Sequence, residues 1–314
     1  MQKLTLKGFK NFYCDAVKCS LGEFLNFDEN FDDDFALANL NEKQLQTLSD
    51  YAVLKNKLAG VSELNLKVPT FGVGLNSLEK YGLMGSEVVS CKKIEQMPSK
   101  SLIGNKTMIL LEDISSLNGN DLSYLSDLLA KCDMPVIVKI GQNLEEVGKI
   151  VNKFNLSPVS LLEEYGFLDR KCLCLGLNFV DKDDQNLLKS YDAVCIFSPR
   201  SDAEEGKGFI NLYNFIYNDL SFGFSSGICY NIDMFAEGKL AMQNTSNLMY
   251  DSNLVDQEKV LSSLQSTFGE NEIEVDESAL RQTIFDKKIW HESQEEKQLR
   301  EFVKQIANIL KEKI

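Results

Sequence analysis

"MPVIVKIGQNLEEVGKIVNKF", residues 134–154, passes from one structural period to another within a few residues. Val136–Ile140 is a short apolar, β-branched run of the kind that forms a buried strand. The stretch Glu145–Phe154 then places Val147, Ile150 and Val151 on one helical face. Further along, Cys172–Asn178 and Ala193–Phe197 repeat the strand pattern. Strand, helix and strand in that order imply parallel strands joined by right-handed crossovers.

Working outward, the same alternation covers most of the chain. Candidate strands are Leu4–Tyr13, Ala59–Leu64, Glu87–Cys91, Met108–Glu112, Val136–Ile140, Cys172–Asn178, Ala193–Phe197 and Leu220–Ser225. A further helix, Asp121–Lys131, carries Leu122, Leu125, Leu128 and Leu129 on one side. Eight such units predict an α/β fold closed as a (β/α)8 TIM-type barrel rather than an open sheet. Residues 92–105 leave little room for the third helix, so a short helix or a loop is expected there. After about residue 246 the pattern changes. Ser293 and Glu296 have capping-box spacing, and Leu299, Phe302, Val303, Ile306, Ile309 and Leu310 recur with helical period. The expected organisation is a barrel over residues 1–245 and a helical segment, 246–314, packed on it.

Composition narrows the partners. The 314 residues carry 47 acidic and 33 basic side chains, a formal charge of −14. That charge opposes binding to a nucleic-acid backbone or an anionic membrane surface. The segment MQKLTLKGFK has no long apolar core of the signal-peptide kind, and no stretch approaches the roughly 20 apolar residues of a membrane span. Eight cysteines are scattered through apolar stretches without CxxC or finger spacing, so they read as buried, reduced thiols of a cytoplasmic protein. The single histidine, His291, lies in the charged C-terminal region, which rules out chemistry built on clustered imidazoles.

In a barrel of this kind, reactive side chains sit where the strands end. The first strand ends Tyr13-Cys14-Asp15; the fifth, "PVIVKIGQN", brings Lys139 and Gln142; the sixth, "CLCLGLN", brings Gly176 and Asn178. The seventh ends "IFSPRSD" and the eighth "FGFSSG".

The order of these phrases, with the helix "SPVSLLEEYGFLDR" and the segment "FGFSSGICYNIDMFAEGKLA", resembles the amidohydrolase superfamily, in the branch of methylthioadenosine, adenosylhomocysteine and aminofutalosine deaminases. "GFKNFYCD" is similar to the family's G-F-x-N-x-H-x-H metal strand, and the resemblance covers roughly residues 5–245 in order. It implies a metal-dependent hydrolase-like barrel. Relatives carry a small β-sandwich built partly from residues ahead of the first strand, and the resemblance implies that this flanking domain is lacking here.

By the same resemblance, Tyr13 and Asp15 stand at the metal-binding H-x-H positions, Lys139 at the next metal histidine, and Gln142 at the substrate-binding or proton-shuttling glutamate. Gly176 and Phe197 stand at two further histidine positions, and Ser225, Ser226 and Gly227 occur where the segment bearing the catalytic aspartate is shortened. Family enzymes lower the pKa of a metal-bound water from about 15.7 toward about 7. A tyrosine, a carboxylate and an amine do not make a metal site, and Lys139 would repel a cation. No metal and no cofactor are therefore expected, and no catalytic residue is assigned. Lys139 is expected to pair with Asp15.

Three functions follow from this pattern. The favoured one is a pseudoenzyme kept as a binding or assembly scaffold. The others are a deaminase-type hydrolase acting on a nucleoside-like C–N bond without the usual metal, and a small-molecule sensor using the vacated positions Tyr13, Asp15, Lys139, Gln142, Gly176, Phe197, Ser225 and Ser226. Partner and ligand carry no signature in the sequence, and a homodimer is the oligomeric expectation because family barrels often pair.

Two other stretches are set aside. "NFDENFDDDF", residues 26–35, lacks the spacing and turn glycine of a calcium loop and reads as a solvated loop over the barrel mouth. Gly72, Gly74 and Ser77 in "GVGLNS" resemble a dinucleotide fingerprint only loosely. Cys172 and Cys174 share strand parity with Gly176 and are expected to pack inward.

Overall fold

The chain is described by a computed structural model at residues 3–6, 8–25, 27, 31–96, 106–132, 134–169, 172–266, 273–276 and 294–313. Eight parallel strands lie in consecutive order in one sheet: β2 Phe9–Asp15, β3 Val61–Lys67, β4 Met84–Ser90, β5 Thr107–Leu111, β6 Val136–Ile140, β7 Cys172–Gly176, β8 Val194–Phe197 and β9 Phe222–Phe224. With helices between them, they form the (β/α)8 arrangement. Outside it, β1 Lys3–Leu6 pairs antiparallel with β10 Ile273–Asp276.

The first predicted strand, Leu4–Tyr13, is thus two strands. The break is Gly8, at φ +118°, where a Cβ would come within 2.5 Å of Ser62 Oγ. A side chain could adopt neither that backbone nor that space. The short helix or loop expected over residues 92–105 falls largely outside the described residues. The segment begins with a 3-10 turn over Cys91–Gln96, and residues 97–105 lie outside the described ones.

The chain divides into two compact units, residues 1–89, 226–235 and 264–314 in one and residues 90–225 and 236–263 in the other. In the first, an apolar core forms outside β2 and β3. It joins Val17 and Leu21 of the helix Ala16–Leu21, Ala36 of Asp33–Asn39, Leu45, Leu48 and Tyr51 of Glu42–Leu58, and Val303, Ile306, Ala307 and Leu310 of Gln294–Lys311. The terminal helix therefore buries Val303, Ile306 and Leu310 of its stripe on helices of its own chain, with Leu299 packed against them, while Phe302 and Ile309 are exposed. Ser293 of the proposed capping box and His291 lie outside the described residues.

The acidic run needs correction. Its second half is not a solvated loop, because Asp33–Asn39 is helical and Phe31 is buried in the core. Asp32 caps this helix by accepting the Phe35 N–H at 2.9 Å. Acidic side chains at a helix N-terminus satisfy free N–H groups and favour the positive dipole end. Asn26, Asp28, Glu29 and Asn30 of the run lie outside the described residues.

In the second unit the helix Leu144–Phe154 follows β6. Asn143 caps it, accepting the Glu146 N–H at 2.9 Å. Cys172, Cys174 and Cys195 are buried on β7 and β8, and the Cys172 and Cys174 sulfurs lie 3.7 Å apart. Cys91 is only half-buried. Among the described residues, no helix is long and apolar enough to cross a membrane.

Candidate functional site

At the end of β2 in the first unit, Asp15 is almost fully buried. Its two oxygens have separate tasks: Oδ1 accepts the Lys18 N–H at 3.0 Å, capping the helix Ala16–Leu21, and Oδ2 lies 3.0 Å from Lys67 Nζ. Lys67 reaches it because Asp15 and Lys67 are register partners on adjacent strands. The same ammonium lies 3.1 Å from Asp33 Oδ1. Lys67 was missed because the predicted second strand stopped at Leu64 whereas the strand continues to Lys67, and Asp33 because the acidic run that contains it reads as a solvated loop.

Tyr13 is buried two residues earlier on β2. Ser226 is fully buried and ties the chain after β9 to β2. Its N–H donates to Asn11 Oδ1 at 3.0 Å, and its Oγ accepts from Asn11 Nδ2 at 2.8 Å. Beside it, Gly227 exchanges backbone hydrogen bonds with Tyr13 and Asp15. Ser226 is thereby engaged in holding strands together.

The loose glycine motif also has a local explanation. The Gly72 N–H, at the start of the helix Val73–Tyr81, points at both carboxylate oxygens of Glu87, at 3.1 and 2.9 Å. A buried carboxylate of this chain occupies the place that an anion would take at a helix N-terminus.

In the second unit, Gln142 is the hub of a network just beyond β6. Its N–H donates to Glu146 Oε2 at 2.8 Å, its Oε1 accepts from Lys207 Nζ at 3.1 Å, and its carbonyl faces Asn178 Nδ2 at 3.4 Å. Asn178 Nδ2 also donates to Asp202 Oδ2 at 3.1 Å, and Lys207 pairs with Glu205 at 2.9 Å. Burial pushes the Asp202 carboxyl up to about 6, against the opposing pull of Asn178 and Lys207. Burial likewise raises the pKa of Glu146, against the hydrogen bonds from Gln142 and Gly141. Asp202 and Lys207 come from the chain after β8, and only folding brings them to Gln142.

Gly176, the last residue of β7, has φ +111°. A Cβ there would lie 2.7 Å from Gln142 Cγ and 3.0 Å from the Ile140 carbonyl oxygen. Phe197 is buried in an aromatic cluster, edge-on to Phe215 with centroids 4.9 Å apart. Ser225 is fully buried, hydrogen-bonded through Oγ to Ser198 Oγ and through its N–H to the Phe197 carbonyl at 2.8 Å. Lys139 lies 3.7 Å from Glu112 at the end of β5. Asp15 and Lys139 belong to different units, and each has an ionic partner within its own.

No protein-family model matches the chain. Its sequence is similar to 5-methylthioadenosine/S-adenosylhomocysteine deaminases, among them those of Caldicellulosiruptor saccharolyticus and Thermococcus kodakarensis. Identity to that of Caldicellulosiruptor saccharolyticus is 24% over 95 residues, 30% of this chain and 22% of the relative. Identity to that of Thermococcus kodakarensis is 25% over 123 residues, 38% of this chain and 29% of the relative. The matches span well under two thirds of the length of these curated relatives. Among solved structures, an adenosine deaminase from Xanthomonas campestris with bound zinc has TM-score 0.73 at 14% identity, covering 95% of this chain and 76% of that one. A guanine deaminase from C. acetobutylicum with bound guanine has TM-score 0.68 at 15% identity, covering 98% of this chain and 83% of that one. These structural likenesses are of fold.

The donor set does not fit the metal such a fold can carry. Among the described residues, no three histidine, cysteine, aspartate or glutamate side chains converge as metal ligands. Asp15 already neutralises an ammonium, Gly176 offers no donor, Phe197 is apolar, and Lys139 is cationic. A zinc site takes three or four N, S or O ligands.

Proposed function

We propose that this chain, whose kinship in sequence and fold is with the deaminases of the amidohydrolase superfamily, is a catalytically inactive member of that group retained as a binding or assembly scaffold. One observation carries the reading: the space beside Gly176 is filled by Gln142, with the Ile140 carbonyl behind it. No side chain fits at the end of β7 unless Gln142 and backbone move. A side chain at this position, where the resemblance puts a metal ligand, would meet Gln142 Cγ and the Ile140 carbonyl, and this supports the inactive reading. Around it, Gln142 is engaged by Lys207, Glu146 and Asn178, so the residues stabilise one another instead of presenting free acid–base groups. The proposal places the scaffold in the cytoplasm, free of nucleic acid and membrane, with a protein partner or a second copy as its contact.

The test is metal analysis of the purified protein together with ammonia release from adenosine, methylthioadenosine, adenosylhomocysteine and guanine. The expected result is substoichiometric zinc, iron and manganese and no release above buffer. Turnover of any of these substrates, or one tightly held metal ion per chain, would overturn the reading.

A second reading, the small-molecule sensor, is supported by Asp202. A buried carboxyl at the strand ends, hydrogen-bonded by Asn178 at 3.1 Å and with its pKa raised by burial to about 6, can change charge when a ligand arrives. A thermal-shift screen of nucleosides and small anions checks it, with a saturable rise in Tm expected for at least one compound and lost in Asp202→Asn.

A further inference from the structure

We infer that Lys67 is a tethered cation. Its ammonium, rather than a divalent metal, sits where two carboxylates of this chain converge and binds the end of β2 to the start of the helix Asp33–Asn39. Nζ lies 3.0 Å from Asp15 Oδ2 and 3.1 Å from Asp33 Oδ1, and the three side chains are 6%, 4% and 14% exposed. Two carboxylates aimed at one buried point repel each other unless a positive charge lies between them. An ammonium supplies that charge and has three donors, enough for both oxygens.

The placement is built in at several levels. Asp15 and Lys67 are opposite each other in the β2–β3 register, so the strand ends deliver acid and base to the same height. Each carboxylate also serves a helix N-terminus: Asp15 caps Ala16–Leu21, and Asp33 lies in the first turn of the helix that Asp32 caps. Lys67 therefore anchors two helix starts at one strand end. Unlike a metal ion, this cation cannot dissociate, and an ammonium has no open coordination position on which to activate water. The inference deepens the inactive-scaffold reading, but its test reads metal affinity and stability rather than turnover, so either can fail alone.

The geometry makes a reciprocal prediction. Without the ammonium, the paired carboxylates are an oxygen-ligand site for a hard divalent cation. The experiment is a Mn2+ titration, followed by the EPR signal of free Mn2+ and by Tm, on the full chain, on Lys67→Ala, and on Lys67→Ala combined with Asp15→Asn and Asp33→Asn. Lys67→Ala should bind Mn2+ at least about tenfold more tightly than the wild type and gain Tm with it, because metal affinity is folding free energy when the ligands belong to the folded state. The triple variant should show neither effect. Equal Mn2+ affinity in the wild type and Lys67→Ala, or the same gain in the triple variant, overturns the inference. Should Lys67→Ala not fold in metal-free buffer, it is refolded with and without Mn2+. Recovery only with Mn2+ supports the inference, and failure in both overturns it.

Discussion

Asn178, just beyond β7, donates from Nδ2 to Asp202 Oδ2 at 3.1 Å and so joins the end of one strand to the helix Pro199–Glu204 that follows the next. Asp202 is 6% exposed, and burial holds its carboxyl at about 6, above the ordinary 3.8. The folded chain thus holds this proton more tightly than the unfolded chain does. The resulting stability is fully present below the unfolded value and is lost as pH rises through about 6. Denaturant titrations between pH 4 and pH 8 should show this fall, on the order of 1–3 kcal/mol. Asp202→Asn, which keeps an acceptor for Asn178 but cannot ionise, should flatten that part of the profile. An unchanged profile in the variant would remove Asp202 as its source.

Lys67 and Asp15 form an ion pair with almost no solvent. Lys67→Met leaves the buried Asp15 and the half-buried Asp33 without this cation and should cost about 3–5 kcal/mol by urea unfolding. Adding Asp15→Asn should recover part of that loss, because the stranded charge is the larger penalty. If the double variant shows the sum of the two single effects, the pair is not coupled.

Gly176→Ala sets a methyl group against Gln142 Cγ and the Ile140 carbonyl and forces a side chain into φ +111°. A loss of about 1–3 kcal/mol is expected from the overlap. Shortening the neighbour in Gly176→Ala with Gln142→Ala should return only part of it, since the carbonyl clash and the backbone strain persist. Full recovery would mean that the side-chain overlap alone kept glycine there.

On the terminal helix, Leu310 is fully buried and Phe302 is 55% exposed. Leu310→Ala should cost about 2–5 kcal/mol through the lost contacts and the cavity, and Phe302→Ser should stay within about 0.5 kcal/mol. Comparable costs at both positions would show that the helix buries its other face as well.

Much of the fold could be read from the chain because a buried parallel strand and an amphipathic helix write different periods into the sequence. Val136–Ile140 has the same bounds in the prediction and in the structure. β3 was cut short because its last residue is a lysine, which local patterning rejects from a buried strand. The strand end tolerates it because Asp15 and Asp33 lie opposite. The acidic run was misread for a related reason: its composition suggests solvent, while its helix depends on Asp32 as cap and on Phe31 finding a core that includes residues from the far end of the chain.

By itself the sequence determined the alternation of strands and helices, the residue types at the strand ends, and the replacement of the histidines that the family resemblance implies. Only the tertiary structure decided which groups meet: Lys67 with Asp15 and Asp33, Gln142 in the space beside Gly176, and Lys207 and Asp202 around Asn178. Periodicity is a property of neighbours along the chain. Charge pairing and steric exclusion depend instead on strand register and on loops that return from distant positions, which a one-dimensional pattern does not encode.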